Sequence, residues 1–180
     1  MSELNPYRIP GETYFFTLAF PEWSTGATLP SIRALCLELV KIKQKLPFNL
    51  DALVILPKYM QGMLTLPGDA EAAALLWQKI KNEFAKLAGD ADGSQVDDDA
   101  DFERKRFFGY VLRGDQDFAR HMNFLHYNPV NQGLVKLVAD WPYSTFFQYV
   151  QQGVYPLSWR MESQMNELQA GIELTPTVFP

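Results

Sequence analysis

The sequence is poor in the residues that build covalent cross-links and soft-metal sites. Cys36 is its 1 cysteine among 180 residues, so an intrachain disulfide is excluded, and apolar neighbours place that thiol in the expected core. Apolar runs are short as well, since those at residues 53–56 and 72–77 fall well below the roughly 20 residues that span a bilayer. The first residues lack the basic-then-apolar layout of a secretion signal. We therefore expect a cytoplasmic protein with no membrane segment.

Most familiar catalytic motifs are absent too. The sequence has 2 histidines, His121 and His126, and a spacing of five residues places them on different sides of a helix. A phosphate-binding Gly-x-x-x-x-Gly-Lys loop and a Gly-x-Ser-x-Gly nucleophile motif are both missing. Each histidine is therefore interpreted as a structural residue.

The charge of the chain is unevenly distributed. The net charge is −5, yet seven of the 21 acidic residues lie within residues 90–103, where there is no lysine or arginine. We interpret that run as a solvated, flexible loop. The rest of the chain is slightly basic, so the overall charge excludes no anionic partner.

The spacing of apolar residues and of proline and glycine predicts four strands and three helices. The predicted strands are 13–20, 50–56, 59–66 and 107–113, and the predicted helices are 31–46, 70–87 and 115–127. Asp115 is the expected cap of the third helix, and loops follow Pro129 up to a further helix near residues 162–170.

The order β-α-β-β-α-β-α predicts the fold class. It is α+β, with a ferredoxin-like antiparallel sheet of about four strands and helices packed on one face. We expect one domain at residues 1–160, with the acidic loop at 89–103, and a C-terminal tail at 161–180.

Three stretches, taken together, carry a family resemblance. They are residues 7–17, residues 47–67 and residues 117–146. The last stretch contains Asn128-Pro129-Val130 and Asp140-Trp141-Pro142-Tyr143-Ser144 in an order and spacing that chance does not readily produce. Over about residues 7–159 the chain closely resembles the REP-associated tyrosine transposases, which are single-strand DNA nucleases of the HUH class related to small insertion-sequence transposases.

The resemblance implies a chemistry and a partner. In that family, two histidines one residue apart on a strand hold Mg²⁺ or Mn²⁺, which polarises the scissile phosphate. A tyrosine on a later helix attacks the phosphate, forming a 5′-phosphotyrosine and freeing a 3′-hydroxyl. A polar residue one helical turn after the tyrosine completes the metal site. The usual substrate is a single DNA strand beside a palindromic hairpin.

Transferred residue by residue, the resemblance implies that most of this machinery is absent. The two histidine positions fall on Tyr59 and Gln61, which are poor metal ligands compared with imidazole. The nucleophile position falls on Phe124, which lacks the attacking hydroxyl, and the third ligand position falls on Asn128. Asn128 has a simpler alternative role, which is to bond the backbone near the helix end. We therefore expect a degenerate, inactive member with no bound cofactor.

Another tyrosine could replace the missing nucleophile. Tyr127 lies three residues after Phe124 and is the best surrogate, although a packing role is favoured for its ring. Tyr59 and Tyr110 are weaker candidates, since tyrosine is common in strands.

DNA binding can persist after catalysis is lost, because it depends on a broad surface. One basic group comprises Arg104, Lys105, Arg106 and Arg113, and a second comprises Arg33, Lys41, Lys43, Lys45 and Lys58. Such residues contact phosphates without reading sequence. The rings of Tyr7, Tyr14 and Phe108 could stack on unpaired bases. For any single residue, a solvated charge or a core ring is the simpler interpretation.

Three hypotheses follow for function. The first is a transposase-family protein that binds single-stranded or hairpin DNA without cleaving it. The second, which ranks next, is a domain repurposed for protein contacts with no DNA partner. The third is a cryptic single-strand nuclease that uses Tyr127. The sequence is compatible with a monomer or a dimer.

Overall fold

The computed structural model describes residues 10–20, 28–89 and 107–161. Its strands are β1 (Glu12–Ala19), β2 (Asn49–Ile55), β3 (Tyr59–Leu66) and β4 (Phe107–Val111). Its helices are α1 (Leu29–Lys45), α2 (Ala70–Gly89), α3 (Gly114–Asn131) and α4 (Phe146–Gln151), with a short 3-10 turn at Val138–Asp140. No helix in this described part is long and apolar enough to cross a membrane.

The strands form one antiparallel sheet in the order β2-β3-β1-β4. β1 is central and pairs with β3 on one side, where Thr17 lies opposite Gln61, and with β4 on the other, where Thr17 lies opposite Phe108. This order and the alternation of helices with strands confirm the predicted α+β, ferredoxin-like class. The hairpin strand at residues 59–66 was predicted with the bounds it has.

The prediction that the helices pack on one face is wrong in the described residues. α1 and α2 pack on one face, in a core that contains Phe16, Met60 and Trp77. α3 and α4 pack on the other face, in a core that contains Phe15 and Met63. After its first residue, β1 is buried at every position, and β3 has the same pattern. Both faces of the central strands therefore carry side chains that must be shielded from water. One pair of helices packs on each face.

Helix α3 differs from its predicted bounds at both ends. It continues through Pro129 to Asn131, and at its end the carbonyls of Asn128 and Pro129 accept hydrogen bonds from the Gln132 and Leu134 amides. At the other end Asp115 is not the cap. Arg113 occupies the cap position, and its backbone amide donates to Asp117 Oδ2 at 2.8 Å.

The segment after Pro129, predicted as loops, contains the 3-10 turn and α4. Six residues are too few for α4 to show a helical period in the sequence. The predicted helix near 162–170 lies outside the described residues, as does most of the acidic loop. Cys36, expected in the core, is exposed on α1.

The Asp-Trp-Pro-Tyr-Ser motif at 140–144 covers the outer edge of β2. The Ile55 amide donates to the Tyr143 carbonyl at 2.8 Å, and the Thr145 amide donates to the Leu53 carbonyl at 2.9 Å. Trp141 Nε1 donates to the Ile55 carbonyl at 3.0 Å. These bonds satisfy backbone groups that an uncovered edge strand would expose.

His126 joins α3 to residues 140–145, which we call the covering segment. It is fully buried, with Nε2 and Thr145 Oγ1 2.8 Å apart, and it contacts the rings of Phe146, Tyr149 and Tyr155. Burial lowers the pKa of His126 from its usual 6.5 to about 3. The histidine is therefore neutral in the folded protein and serves as a structural residue, as expected.

We predict that His126 makes the protein less stable in mild acid. Between pH 6.5 and 3 the unfolded chain binds a proton at His126 that the folded chain does not, so the free energy of unfolding falls as pH falls. His126→Phe should reduce the loss between pH 7 and pH 5 by about 2 kcal/mol, measured by urea unfolding. Thr145 and Tyr155 keep bonds to Leu53 and Asn123 in that variant. An unchanged loss would contradict this role.

Candidate functional site

Strand β3 directs Tyr59 and Gln61 to the face that α3 covers. Alternate residues of a strand point to opposite faces, and Met60 between them is buried in the core on the α1 and α2 side. Gln61 is 6% exposed, and Asn128 on α3 is 4% exposed. The fold therefore brings together the three positions that the resemblance assigns to metal ligands.

These positions form a neutral hydrogen-bond network. Asn128 Nδ2 donates to Gln61 Oε1 at 2.5 Å, and Gln61 Nε2 donates to Thr17 Oγ1 at 3.1 Å. The side chains of one helix and two strands are thus joined through the Gln61 amide. No buried side-chain nitrogen or oxygen of the described residues lacks a partner.

Tyr59 lies at the more open side of the network. Gln132 Nε2 donates to its hydroxyl, and Asn128 also bonds it. Burial raises the pKa of Tyr59 above 10, which outweighs the opposite effect of hydrogen bonds from Asn128 and Gln132. The hydroxyl is therefore a neutral phenol at physiological pH and not a phenolate.

The donor set does not fit the Mg²⁺ or Mn²⁺ site of the family. A phenol and two amides carry no charge, and the Gln61 carbonyl oxygen is already the acceptor of the Asn128 amide. Within the described ranges, no group of three or more histidine, cysteine, aspartate or glutamate side chains is arranged to hold a metal. The arrangement instead resembles a satisfied core network.

The side chain of Asn128 does not have the backbone role considered from the sequence. Its amide donates to Gln61 across the helix–sheet interface. Sequence reasoning missed Thr17 and Gln132 as members of the network. Gln132 lies four residues after Asn128, the spacing of neighbours on a helix, and Thr17 became identifiable only from the strand register.

Phe124, to which the resemblance assigns the nucleophile position, carries no hydroxyl and is buried. Phe124 is 7% exposed and packs in the core on the α3 side. Tyr127, the proposed surrogate, is half-buried with its ring 5.9 Å from that of Trp159 in an edge-on contact. This contact supports the packing role for Tyr127.

The expected DNA-contacting residues are only partly brought together. Lys58 is exposed in the β2–β3 turn beside Tyr59, and Arg113 is exposed at the start of α3. Arg104, Lys105 and Arg106 lie outside the described residues. The basic residues of α1 belong to the opposite face of the sheet, where Lys41 and Lys45 contact Glu38 and Glu83.

Of the three aromatic residues expected to stack on bases, one is in the core, one is partly exposed and one lies outside the described residues. Tyr14 is 5% exposed and stacks on Trp77 in the core with ring centroids 4.5 Å apart, so it is not available to a base. Phe108 is half-buried on β4. Tyr7 lies outside the described residues.

Comparisons with known proteins point to one family. The chain is 33% identical over 159 residues to the REP-associated tyrosine transposase of Escherichia coli K12, covering 88% of this chain and 91% of that relative. A relative from Haemophilus influenzae is 27% identical over 154 residues, covering 83% of this chain and 88% of its own length. No family model matches.

A solved structure gives the same result. The structure of a REP-associated tyrosine transposase bound to a REP hairpin superposes with a TM-score of 0.61 at 32% identity. The match covers 90% of this chain and 93% of the other.

We predict that Asn128 and Gln61 are energetically coupled. Asn128→Leu leaves the buried Gln61 oxygen without its donor, which should lower the free energy of unfolding by about 1–3 kcal/mol. Gln61→Leu with Asn128→Leu removes both partners and should cost less than the sum of the single changes. The double-mutant cycle, measured by chemical denaturation, should give a coupling of about 0.5–3 kcal/mol. A coupling near zero would show that the bond contributes nothing to stability.

We also predict that two histidines create a metal site here. Tyr59→His with Gln61→His places two imidazoles on one face of β3 beside the Asn128 carbonyl, a donor set that Mn²⁺ accepts. Calorimetric titration should detect Mn²⁺ binding in this double variant and none in the natural chain.

Adding Asn128→Ala to those two substitutions is the matched control. It should weaken Mn²⁺ binding by about tenfold or more if Asn128 contributes its carbonyl. Equal affinity in the double and triple variants would mean that the three positions do not converge as described.

Proposed function

Because the chain belongs to the REP-associated tyrosine transposase family, we propose that it binds hairpin DNA with single-stranded flanks but has lost the family's metal-and-tyrosine route of cleavage. The solved relative at 32% identity is bound to a REP hairpin, and the match covers 90% of this chain. A binding surface is spread over many contacts, so it tolerates the loss of a few catalytic atoms.

The loss of the catalytic route rests on the network at Tyr59, Gln61 and Asn128. Its amide and hydroxyl groups are used in bonds to one another. The position of the nucleophile holds the buried ring of Phe124. At these positions, both charged metal ligands and a hydroxyl at 124 are absent, and this joint absence supports the proposed loss.

Electrostatics supports modest, salt-dependent DNA affinity. Outside residues 90–103 the chain has a small excess of basic residues. Lys58 lies next to Tyr59 in the sequence, and Arg113 is exposed at the positive end of α3, where a phosphate is favoured. We propose these two residues, with Arg104, Lys105 and Arg106, as phosphate contacts.

A gel-shift assay tests this function. A labelled hairpin with single-stranded flanks should be bound, and affinity should fall steeply between 50 and 200 mM salt, by about tenfold or more for a few phosphate contacts. Lys58→Ala and Arg113→Ala should each reduce the slope of log affinity against log salt by about 1. Lys79→Ala, an exposed change on α2 across the sheet, is the matched control and should leave the slope unchanged.

Cleavage is followed in the same samples with Mn²⁺ or with a chelator. Strand breakage should not increase with Mn²⁺, whereas an increase would contradict the loss of the metal route. Absence of binding even at low salt would favour the alternative of a protein-interaction domain without a DNA partner. An adduct lost in Tyr127→Phe would favour the alternative of a cryptic nuclease.

A further inference from the structure

A second cluster of titratable side chains lies at the start of α3, outside the network described above. Tyr110 on β4 has its hydroxyl 2.6 Å from His121 Nε2. His121 Nδ1 lies 2.8 Å from the Asp117 carbonyl oxygen and 3.1 Å from Asp117 Oδ1. A hydroxyl, an imidazole and a carboxylate thus stand in the order that activates nucleophiles in many enzymes.

The hydrogen bonds determine the tautomer of His121. Both neighbours of Nδ1 are oxygens that only accept, so Nδ1 carries the proton. In the neutral imidazole, Nε2 is then the nitrogen that accepts the hydrogen bond from the Tyr110 hydroxyl. Asp117 is itself held in place, since its other oxygen accepts from the Arg113 amide at 2.8 Å. The imidazole is therefore oriented as a general base toward Tyr110.

Tyr110 needs such a base to react. Burial, and to a lesser degree the negative charge of Asp117, raises the pKa of Tyr110 to about 12. The hydroxyl is protonated at physiological pH and becomes a strong nucleophile only if its proton is removed during attack.

The cluster lies on the same face of the sheet as the Gln61 network. Thr17 is the cross-strand partner of both Gln61 and Phe108, and Phe15 beside it is the partner of Tyr110. Directly opposite residues of paired strands share a face. Tyr110 lies on β4, an edge strand of the sheet, and its side chain is half-buried, so a DNA strand that passes this edge can reach it.

Two neighbours of Tyr110 suit a nucleic acid strand. The half-buried Phe108 ring lies 5.5 Å from the Tyr110 ring and offers a face on which an unpaired base can stack. Arg113, exposed three residues after Tyr110, offers a cation for the adjoining phosphate.

We propose that Tyr110 is a nucleophile toward a DNA phosphodiester, with His121 as its general base and Asp117 as the residue that positions the base. The Tyr110 oxygen bonds to phosphorus while its proton passes to His121 Nε2. The bond between phosphorus and the 3′ oxygen breaks, and that oxygen takes a proton from water. The product is a phosphotyrosine joined to the 5′ end of one fragment. This inference rests on the proposed DNA binding and adds to it a covalent reaction with the bound strand.

The test is covalent capture of DNA hairpins with single-stranded flanks. Each substrate carries one phosphorothiolate linkage, in which sulfur replaces the bridging 3′ oxygen, and the substrates differ in the position of that linkage. The 3′ thiolate is a good leaving group and a poor partner for the reverse reaction, so an adduct accumulates. The full-length protein should retain the 3′-labelled fragment under denaturing electrophoresis, equally with Mn²⁺ and with a chelator. Binding of each substrate is measured in parallel by gel shift.

Three variants assign the chemistry. Tyr110→Phe keeps the ring and should abolish the adduct, while His121→Gln should slow its formation by about 10²–10⁴-fold. Tyr127→Phe is the matched control and should form the adduct at the natural rate. Peptide mapping of the adduct should recover the DNA on Tyr110, and gel shifts show that each variant still binds.

The outcomes separate this inference from the proposed function. DNA binding without an adduct, or an adduct that survives Tyr110→Phe, overturns the nucleophile and leaves the binding function in place. Absence of binding overturns both. An unchanged rate in His121→Gln overturns the assignment of the general base.

Discussion

The hydrogen bond between the Asn128 and Gln61 amides is the constraint on which the site depends. It crosses the interface between α3 and the sheet, where both side chains are buried. A buried amide without a partner is costly, so this bond determines how α3 is placed along β3. Thr17 extends the same bond pattern to the central strand, and Tyr59 and Gln132 extend it toward solvent.

Under the proposed function, the network takes the place of the family's metal site without a change of fold. Two apolar cores, one on each face of the sheet, pack against β3, and the one that includes α3 helps to bring the positions at 59, 61 and 128 together. The neutral amides at 61 and 128 bond to each other, whereas carboxylates would be costly to bury without a cation. Phe124 is likewise suited to a buried position, because its ring adds a core contact and has no hydroxyl that would need a hydrogen-bond partner.

Helix α3 carries both polar clusters of this face. His121 and Asn128 are seven residues apart, about two turns, so they lie on the same side of the helix. His121, near the start of the helix, contacts β4 through Tyr110, and Asn128, near its end, contacts β3 through Gln61. The covering segment holds the far side of α3 through His126 and Thr145. The helix is therefore fixed at points along its length, which positions both clusters relative to one sheet.

Local sequence signals were enough to determine the strands, the first two helices and the hairpin at Pro57-Lys58, because period and turn residues act over short distances. The resemblance also assigned family positions to Tyr59, Gln61, Phe124 and Asn128 from residue order, and that assignment stays a prediction. Tertiary structure alone decided that helices cover both faces, that Tyr14 belongs to the core, that Asn128 bonds Gln61 and that Tyr110 bonds His121. Each of these depends on which distant segments meet across the sheet, and hydrophobic period does not encode the partner of a buried polar group.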